Sequence, residues 1–242
     1  MSITLVADIG SNWGGGIEGL LKAARKAREC GANLVKIQFY LAETLALRRS
    51  ATRDALSPWE ISEEFLGELV SEFPPLRLGI TVFHPDDVER ATSCIENYAF
   101  IKTATQEWQY VALAEAVSQY SAKTGVPLFV SVPRGAPLIV GNYSSPYPIT
   151  WLACDHSYPA TCLGIAERIE AIARYLPGYA GFSDHSEGLG ITEYVLGEVG
   201  DKLSVVEKHF CYDENLRGKA PDSGSWALGR DEFAKLAEMV HA

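Results

Sequence analysis

Two histidine-bearing segments late in the chain could carry chemistry: Gly-Phe-Ser-Asp-His-Ser at 181–186 and Val-Glu-Lys-His-Phe at 206–210. Each reads as a short apolar strand closing in polar, ligand-capable side chains. Consecutive strands that end this way can aim His185 and His209 at one spot, and neutral imidazoles so aimed suit a divalent metal. Lysines inside apolar strands are the second signal. Lys36 lies in Asn-Leu-Val-Lys-Ile-Gln-Phe and Lys102 in Ala-Phe-Ile-Lys-Thr. An ammonium buried there is unfavourable unless a partner offsets it. Two of them converging with hydroxyls predict a phosphate or carboxylate site.

Such residues must be positioned by a regular scaffold. Short β-branched runs at 3–9, 33–39, 77–83, 99–103, 127–132, 149–154, 178–183 and 203–208 predict eight strands. Amphipathic stretches at about 17–30, 59–72, 86–97, 107–123, 161–175, 187–199 and 230–241 predict helices. Repeated β-α units imply parallel strands with right-handed crossovers, and eight of them favour an α/β fold of the closed (β/α)8 TIM-barrel type. One unit breaks the pattern: prolines at 133, 137, 146 and 148, with Gly135 and Gly141, predict an irregular crossover after the fifth strand. Chemistry in such a barrel sits at the C-terminal ends of the strands. The polar residues expected there include Asp8, Gln38, Thr81, Thr105, Glu107, Ser131, His156, Tyr158, Ser183 and Glu207 beside the lysines and histidines.

Bulk properties agree. The 242 residues, 47% hydrophobic, are read as one barrel spanning 1–242, near the roughly 250 residues usual for this fold. A net charge of -10 argues against nucleic acid and anionic membrane as partners. Five cysteines without a CxxC pair predict reduced thiols in a cytoplasmic protein. The N-terminus lacks a basic segment followed by an apolar stretch, so no secretory signal is expected.

Taken in order, these motifs resemble the sialic acid (N-acetylneuraminate) synthase family, (β/α)8 enzymes that condense phosphoenolpyruvate with an N-acetylated amino sugar. The resemblance runs from about residue 5 to 235. Ala-Asp-Ile-Gly-Ser-Asn-Trp-Gly-Gly at 7–15 is similar to the family's Ala-Glu-Ile-Gly-x-Asn-His-Asn-Gly, and Ala-Asn-Leu-Val-Lys-Ile-Gln at 32–38 to its Ala-Asp-x-Val-Lys-x-Gln. Phe-Ile-Lys-Thr-Ala-Thr-Gln-Glu at 100–107 shares the spacing of lysine, hydroxyl and glutamate in Tyr-Lys-Ile-Gly-Ser-Gly-Glu. Pro-Leu-Phe-Val-Ser and the two histidine segments match as well. The resemblance implies that Lys36, Lys102, Thr105, Ser131 and Ser183 hold the phosphate and carboxylate of phosphoenolpyruvate. It implies His185 and His209 as ligands of Mn2+ or Mg2+, and Gln38, Glu107, Tyr158 and Asp222 facing an aldose or amino-sugar acceptor. Asp8 stands at the family's first-strand carboxylate, and His156 where an Asn usually helps to hold phosphoenolpyruvate. A homo-oligomer is compatible with the family.

Departures shape the expectation further. Trp13 replaces a His, Asp8 a Glu, and Ser131 is followed by Val-Pro-Arg. The chain is read as lacking the family's C-terminal antifreeze-like domain, so its acceptor half is expected to be remodelled. Two alternatives stay open: an aldolase or lyase acting on a small anionic substrate, and a non-catalytic ligand-binding barrel.

Overall fold

A computed structural model of the chain describes residues 2–48, 51–74, 77–95, 97–138 and 141–242. Eight parallel strands pair in sequence order and close into a barrel: β1 (Thr4–Asp8), β2 (Leu34–Phe39), β3 (Leu78–Val82), β4 (Phe100–Thr103), β5 (Leu128–Pro133), β6 (Thr150–Cys154), β7 (Tyr179–Asp184) and β8 (Leu203–His209). β1 meets β8 through a register that sets Asp8 opposite His209. Every strand expected from the sequence is present.

The helices form the outer ring because each carries one apolar face. α1 (Gly16–Glu29) buries Leu20, Ala23, Ala24 and Ala27. Two short helices, α2 (Ala42–Ala46) and α3 (Arg53–Leu56), precede α4 (Glu63–Glu72). α5 (Pro85–Cys94), α6 (Val111–Thr124), α7 (Ile165–Tyr175), α8 (Gly190–Val199) and α9 (Arg230–His241) complete the ring. Most start later than periodicity suggests, because local capping decides the first turn. The Ser62 hydroxyl accepts from the Phe65 N–H at 3.1 Å, so α4 begins at 63 and not at 59. α5 opens with Pro85 at its first position, the His84 ring as cap and Asp87 bonded back to the His84 N–H. α6 ends at Gly125 in the left-handed region. The stretch expected to be helical over 86–97 includes Glu96, which lies outside the described residues.

The irregular crossover after β5 includes Ile139 and Val140, also outside the described residues. On either side of them no helix forms between β5 and β6. The segment is pinned to α6 instead. The Ser144 N–H donates to Ser118 Oγ at 3.1 Å, Ser145 Oγ lies 3.3 Å from Ser121 Oγ, and Tyr143 meets Trp151 edge-on at 6.0 Å. Extended chain held by side-chain hydroxyls thus covers the gap that a helix would fill. The five cysteines are free thiols. Among the described residues no helix is long and apolar enough to cross a membrane.

Candidate active site

Strand alternation divides the barrel interior into two chemistries. Inward positions nearer the strand N-termini are apolar: Val6, Phe100, Phe129, Leu152 and Val205 pack as one cluster, with Phe100 stacked on Phe129 at 4.1 Å. Gly79 and Gly181 leave the room for it, because a Cβ on Gly79 would lie 2.1 Å from the Phe100 ring and one on Gly181 2.4 Å from Leu152. Two residues further along every strand but β6, which carries Cys154 there, the same face turns polar: Asp8, Lys36, Thr81, Lys102, Ser131, Ser183 and Glu207. These residues floor a cavity of about 250 Å³ at the C-terminal mouth.

Glu207 is the hub of that floor. Its Oε1 accepts from Ser183 Oγ at 2.8 Å, from Lys36 Nζ at 3.2 Å and from Lys102 Nζ. Lys36 also pairs with Asp8 Oδ2 at 2.6 Å. All four charges are buried. Burial works against the charge of Glu207, but Lys102 and Lys36 outweigh it and hold its carboxyl well below the usual range. Burial also works against Lys36, yet Asp8 and Glu207 together keep its ammonium protonated and raise its pKa. For Lys102, desolvation, helped by the nearby Lys36, outweighs the pull of Glu207 and Asp8 and lowers its pKa. Two hydroxyls in the floor, Thr81 Oγ1 and Ser131 Oγ, are buried without a hydrogen-bond partner, as is Glu207 Oε2.

The histidines rise above this floor from β7 and β8, with ring centroids 5.3 Å apart. His185 Nδ1 lies 3.0 Å from the Asp155 carbonyl, and Nε2 faces the Tyr158 hydroxyl at 3.3 Å. A proton on Nδ1 donated to that carbonyl leaves Nε2 with its lone pair free to accept or to bind a metal. Desolvation first, then His209 and Lys102, push the His185 pKa well below its usual value, so the ring is neutral. His209 Nδ1 is buried without a hydrogen bond, its nearest anion being Asp8 Oδ2 at 3.5 Å. Tyr158 stacks on His185 at 4.4 Å and meets Trp226 at 5.2 Å. Among the described residues no group of three or more His, Cys, Asp or Glu is arranged around a common metal position. The side chains that could hold a metal here are this imidazole pair.

The mouth is completed by the β1–α1 turn and the segment after β8. Gly10 adopts φ +55°, and a Cβ there would lie 2.6 Å from Asp222 Oδ2. That close approach lets Asp222 accept from the Ser11 N–H at 2.7 Å and from Gln38 Nε2 at 3.2 Å. His156 and Tyr158 also line the cavity from the chain after β6, and Thr105 from the chain after β4.

Of the residues expected at the site, the structure gathers Asp8, Lys36, Gln38, Lys102, Thr105, Ser131, His156, Tyr158, Ser183, His185, His209 and Asp222 around one cavity. Glu107 is not brought there. It is buried in the turn before α6, and its neighbour Gln106 lines the cavity in its stead. Trp13, where a His is usual in the family motif, points into the core against Trp59, with ring centroids 5.9 Å apart. Thr81 and Glu207, polar residues at strand ends in the sequence, join the floor without a counterpart among the residues the resemblance assigns. Lining residues without a signal in the sequence include Tyr40, Leu45, Ala51 and Leu56, supplied by the connection after β2, and Ala104, Gln106 and Pro221.

The NeuB family model matches residues 23–242. The chain is 28% identical to an uncharacterized protein of Methanocaldococcus jannaschii, over 98% of this chain and 69% of that protein. It is 25% identical to the N,N'-diacetyllegionaminic acid synthase of Legionella pneumophila, over 99% of this chain and 72% of the relative. Among solved structures, the N-acetylneuraminic acid (sialic acid) synthetase of Leptospira borgpetersenii superposes with a TM-score of 0.83 at 20% identity, over 99% of this chain and 83% of that one.

Proposed function

The chain belongs to the NeuB family, and we propose that it joins phosphoenolpyruvate to an aldehyde sugar, giving a 3-deoxy-2-keto acid of the sialic acid kind and inorganic phosphate. The observation that carries this reading is the floor of the cavity. Two buried lysines stand there beside two buried hydroxyls, Thr81 and Ser131, that have no partner. An orphaned buried hydroxyl loses about 1 to 3 kcal/mol, so a ligand oxygen is expected to complete it. A small molecule with a phosphate and a carboxylate supplies such oxygens for Lys36, Lys102, Thr105, Ser131 and Ser183.

In the reaction, C3 of phosphoenolpyruvate attacks the aldehyde carbon, and the former carbonyl oxygen takes up a proton. Water adds to the electron-poor C2 and gives up one proton; the C2–O bond to phosphate then breaks as the new C2 hydroxyl passes its remaining proton to the departing phosphate, leaving the 2-keto group. Lys36 and Lys102 neutralise the phosphate and carboxylate while charge moves. Asp8, between Lys36 and His209, is placed to exchange a proton with the water or the new alkoxide. Gln38, held by Asp222, and Tyr158 face the acceptor, while His156 stands at the rim. The imidazoles of His185 and His209 would hold Mn2+ or Mg2+. That ion would serve as a Lewis acid on the aldehyde oxygen.

The test is phosphate release from phosphoenolpyruvate with Mn2+ across aldoses and N-acetylated amino sugars, with and without chelator. Metal-dependent release with one acceptor is expected. In His209→Ala it should fall by more than the roughly 10- to 100-fold that loss of an outer ligand partner causes. Undiminished release by His209→Ala in chelator would sink the metal assignment. Cleavage of another anionic substrate without phosphate release would favour the aldolase or lyase, and binding of phosphoenolpyruvate with no turnover of any acceptor the non-catalytic barrel.

A further inference from the structure

The two strands that carry the histidines are tied together on their outer side. Asp184 and Lys208 stand opposite one another in the β7–β8 register, one residue before His185 and one before His209. Both turn away from the cavity, toward α8. Lys208 Nζ lies 2.9 Å from Asp184 Oδ2 and donates to the Ser186 carbonyl at 2.6 Å. Asp184 Oδ2 also accepts from Thr192 Oγ1 of α8 at 2.6 Å, and Oδ1 from the Ser186 N–H at 2.7 Å. Both charges are fully buried. The layer between strands and helices is otherwise largely apolar, as with Ile37, Val82, Val132, Phe182 and Val206. A buried ion pair adds little stability over apolar side chains of the same volume, and its best-attested use is to fix register.

Register needs fixing at this place. Ala180 pairs with Leu203 but Gly181 with Val205, so β8 carries Ser204 as an extra residue. Pairing before such a bulge does not dictate the pairing after it. A slip of one residue turns a strand's side chains to the opposite face, which would bring Lys208 or Phe210 inward in place of His209. We propose that Asp184 and Lys208 are positioning residues: their pair sets the register of β7 on β8 beyond the bulge and thereby aims the imidazoles of His185 and His209 at one point. The same pair holds the Ser186 peptide from both sides, while the His185 carbonyl accepts from the Ala160 N–H at 2.8 Å. The backbone on either side of the His185 side chain is therefore fixed. The inference rests on the reading of these imidazoles as the reacting centre.

The experiment compares the wild type with Asp184→Asn/Lys208→Met, which removes both charges and leaves neither unpaired. Ile101→Ala serves as the control, a loss of packing behind β4, across the barrel from β8. Ring-nitrogen shifts read by NMR on metal-free protein report whether His185 keeps its proton on Nδ1, toward the Asp155 carbonyl. Titration with Co2+, followed by visible absorption, reports the affinity of the imidazole pair. In the double variant the His185 and His209 signals should move and Co2+ should bind on the order of 10- to 100-fold more weakly. Ile101→Ala should lower Tm and leave both readings as in the wild type. Unmoved histidine signals, Co2+ binding as tight as in the wild type, or the same changes in Ile101→Ala overturn the proposal. If the double variant does not fold, Thr192→Val, which removes one bond to Asp184, is read in its place: moved histidine signals support the proposal and unmoved ones overturn it. If the wild type itself takes up no Co2+, the metal reading fails, and the histidine signals alone decide the positioning role in the same sense.

Discussion

Glu207 holds the floor of the site with one oxygen. Ser183, Lys36 and Lys102 all converge on Oε1, while Oε2 has no partner. Changing Glu207 to Gln keeps the shape and removes the charge, leaving two buried ammoniums with Asp8 as their remaining anion. Breaking a buried pair by removing one partner destabilises by about 3 to 5 kcal/mol, so the ligand-free variant should melt well below the wild type. Phosphoenolpyruvate would then offset an uncompensated charge, and the rise in Tm on adding it should be larger in Glu207→Gln than in the wild type. Equal or smaller rises in thermal scans would mean that the lysines do not receive the ligand. The lysines themselves were legible in the sequence because an ammonium inside an apolar strand requires a reason. Glu207 was harder to single out: Glu207 and Lys208 are adjacent, and only strand register tells which faces inward. Lys208 turns outward to a buried pair with Asp184 at 2.9 Å. Glu107, which the family resemblance sets facing the acceptor, lies in the turn over 104–110 before helix α6 begins and does not line the cavity.

At the scale of elements, strands were legible to within a residue or two because each is a short β-branched run between breakers. The connection after β2 was not. Helices α2 and α3, of five and four residues, are too short to show a helical period, yet they supply Leu45 and Leu56 to the cavity. The start of α5 also matters to the cavity, since Phe83, which lines it, immediately precedes the cap. Asp87 Oδ2 accepts from the Phe83 and His84 N–H groups at 3.2 and 2.9 Å. Burial pushes the Asp87 carboxyl from 3.8 up to about 6, against the opposing pull of those N–H groups and Arg90. A carboxyl that takes its proton more readily when folded stabilises the fold at low pH. That contribution is full below about 3.8 and is lost as pH rises through about 6. In Asp87→Asn an amide oxygen can still accept from both N–H groups, and no proton is involved. The variant should therefore gain stability relative to the wild type between pH 4 and 7, by roughly 2 to 3 kcal/mol. Denaturant titrations at several pH values measure this difference, and a difference that does not change with pH would show that Asp87 is not the titrating group.

The whole molecule sets a third constraint, through its net charge. The two cations that would meet phosphoenolpyruvate lie buried at the bottom of the cavity, each already facing a carboxylate. The chain around them carries 31 acidic against 21 basic residues. An anionic substrate therefore approaches a molecule of its own sign and meets attraction only at close range. Long-range repulsion is screened by salt, with a Debye length of about 30 Å at 0.01 M and about 10 Å at 0.1 M. Short contacts in the buried floor are screened far less. The kcat/KM for phosphoenolpyruvate should thus rise, by roughly twofold or more, as potassium chloride goes from 0.01 to 0.1 M at fixed metal. An uncharged acceptor should show no such rise. A barrel that steered its substrate with a basic funnel would behave in the opposite sense, so a fall in kcat/KM over this range would place a positive field at the mouth. The sign of the salt effect thereby separates capture by the floor from attraction by the surface.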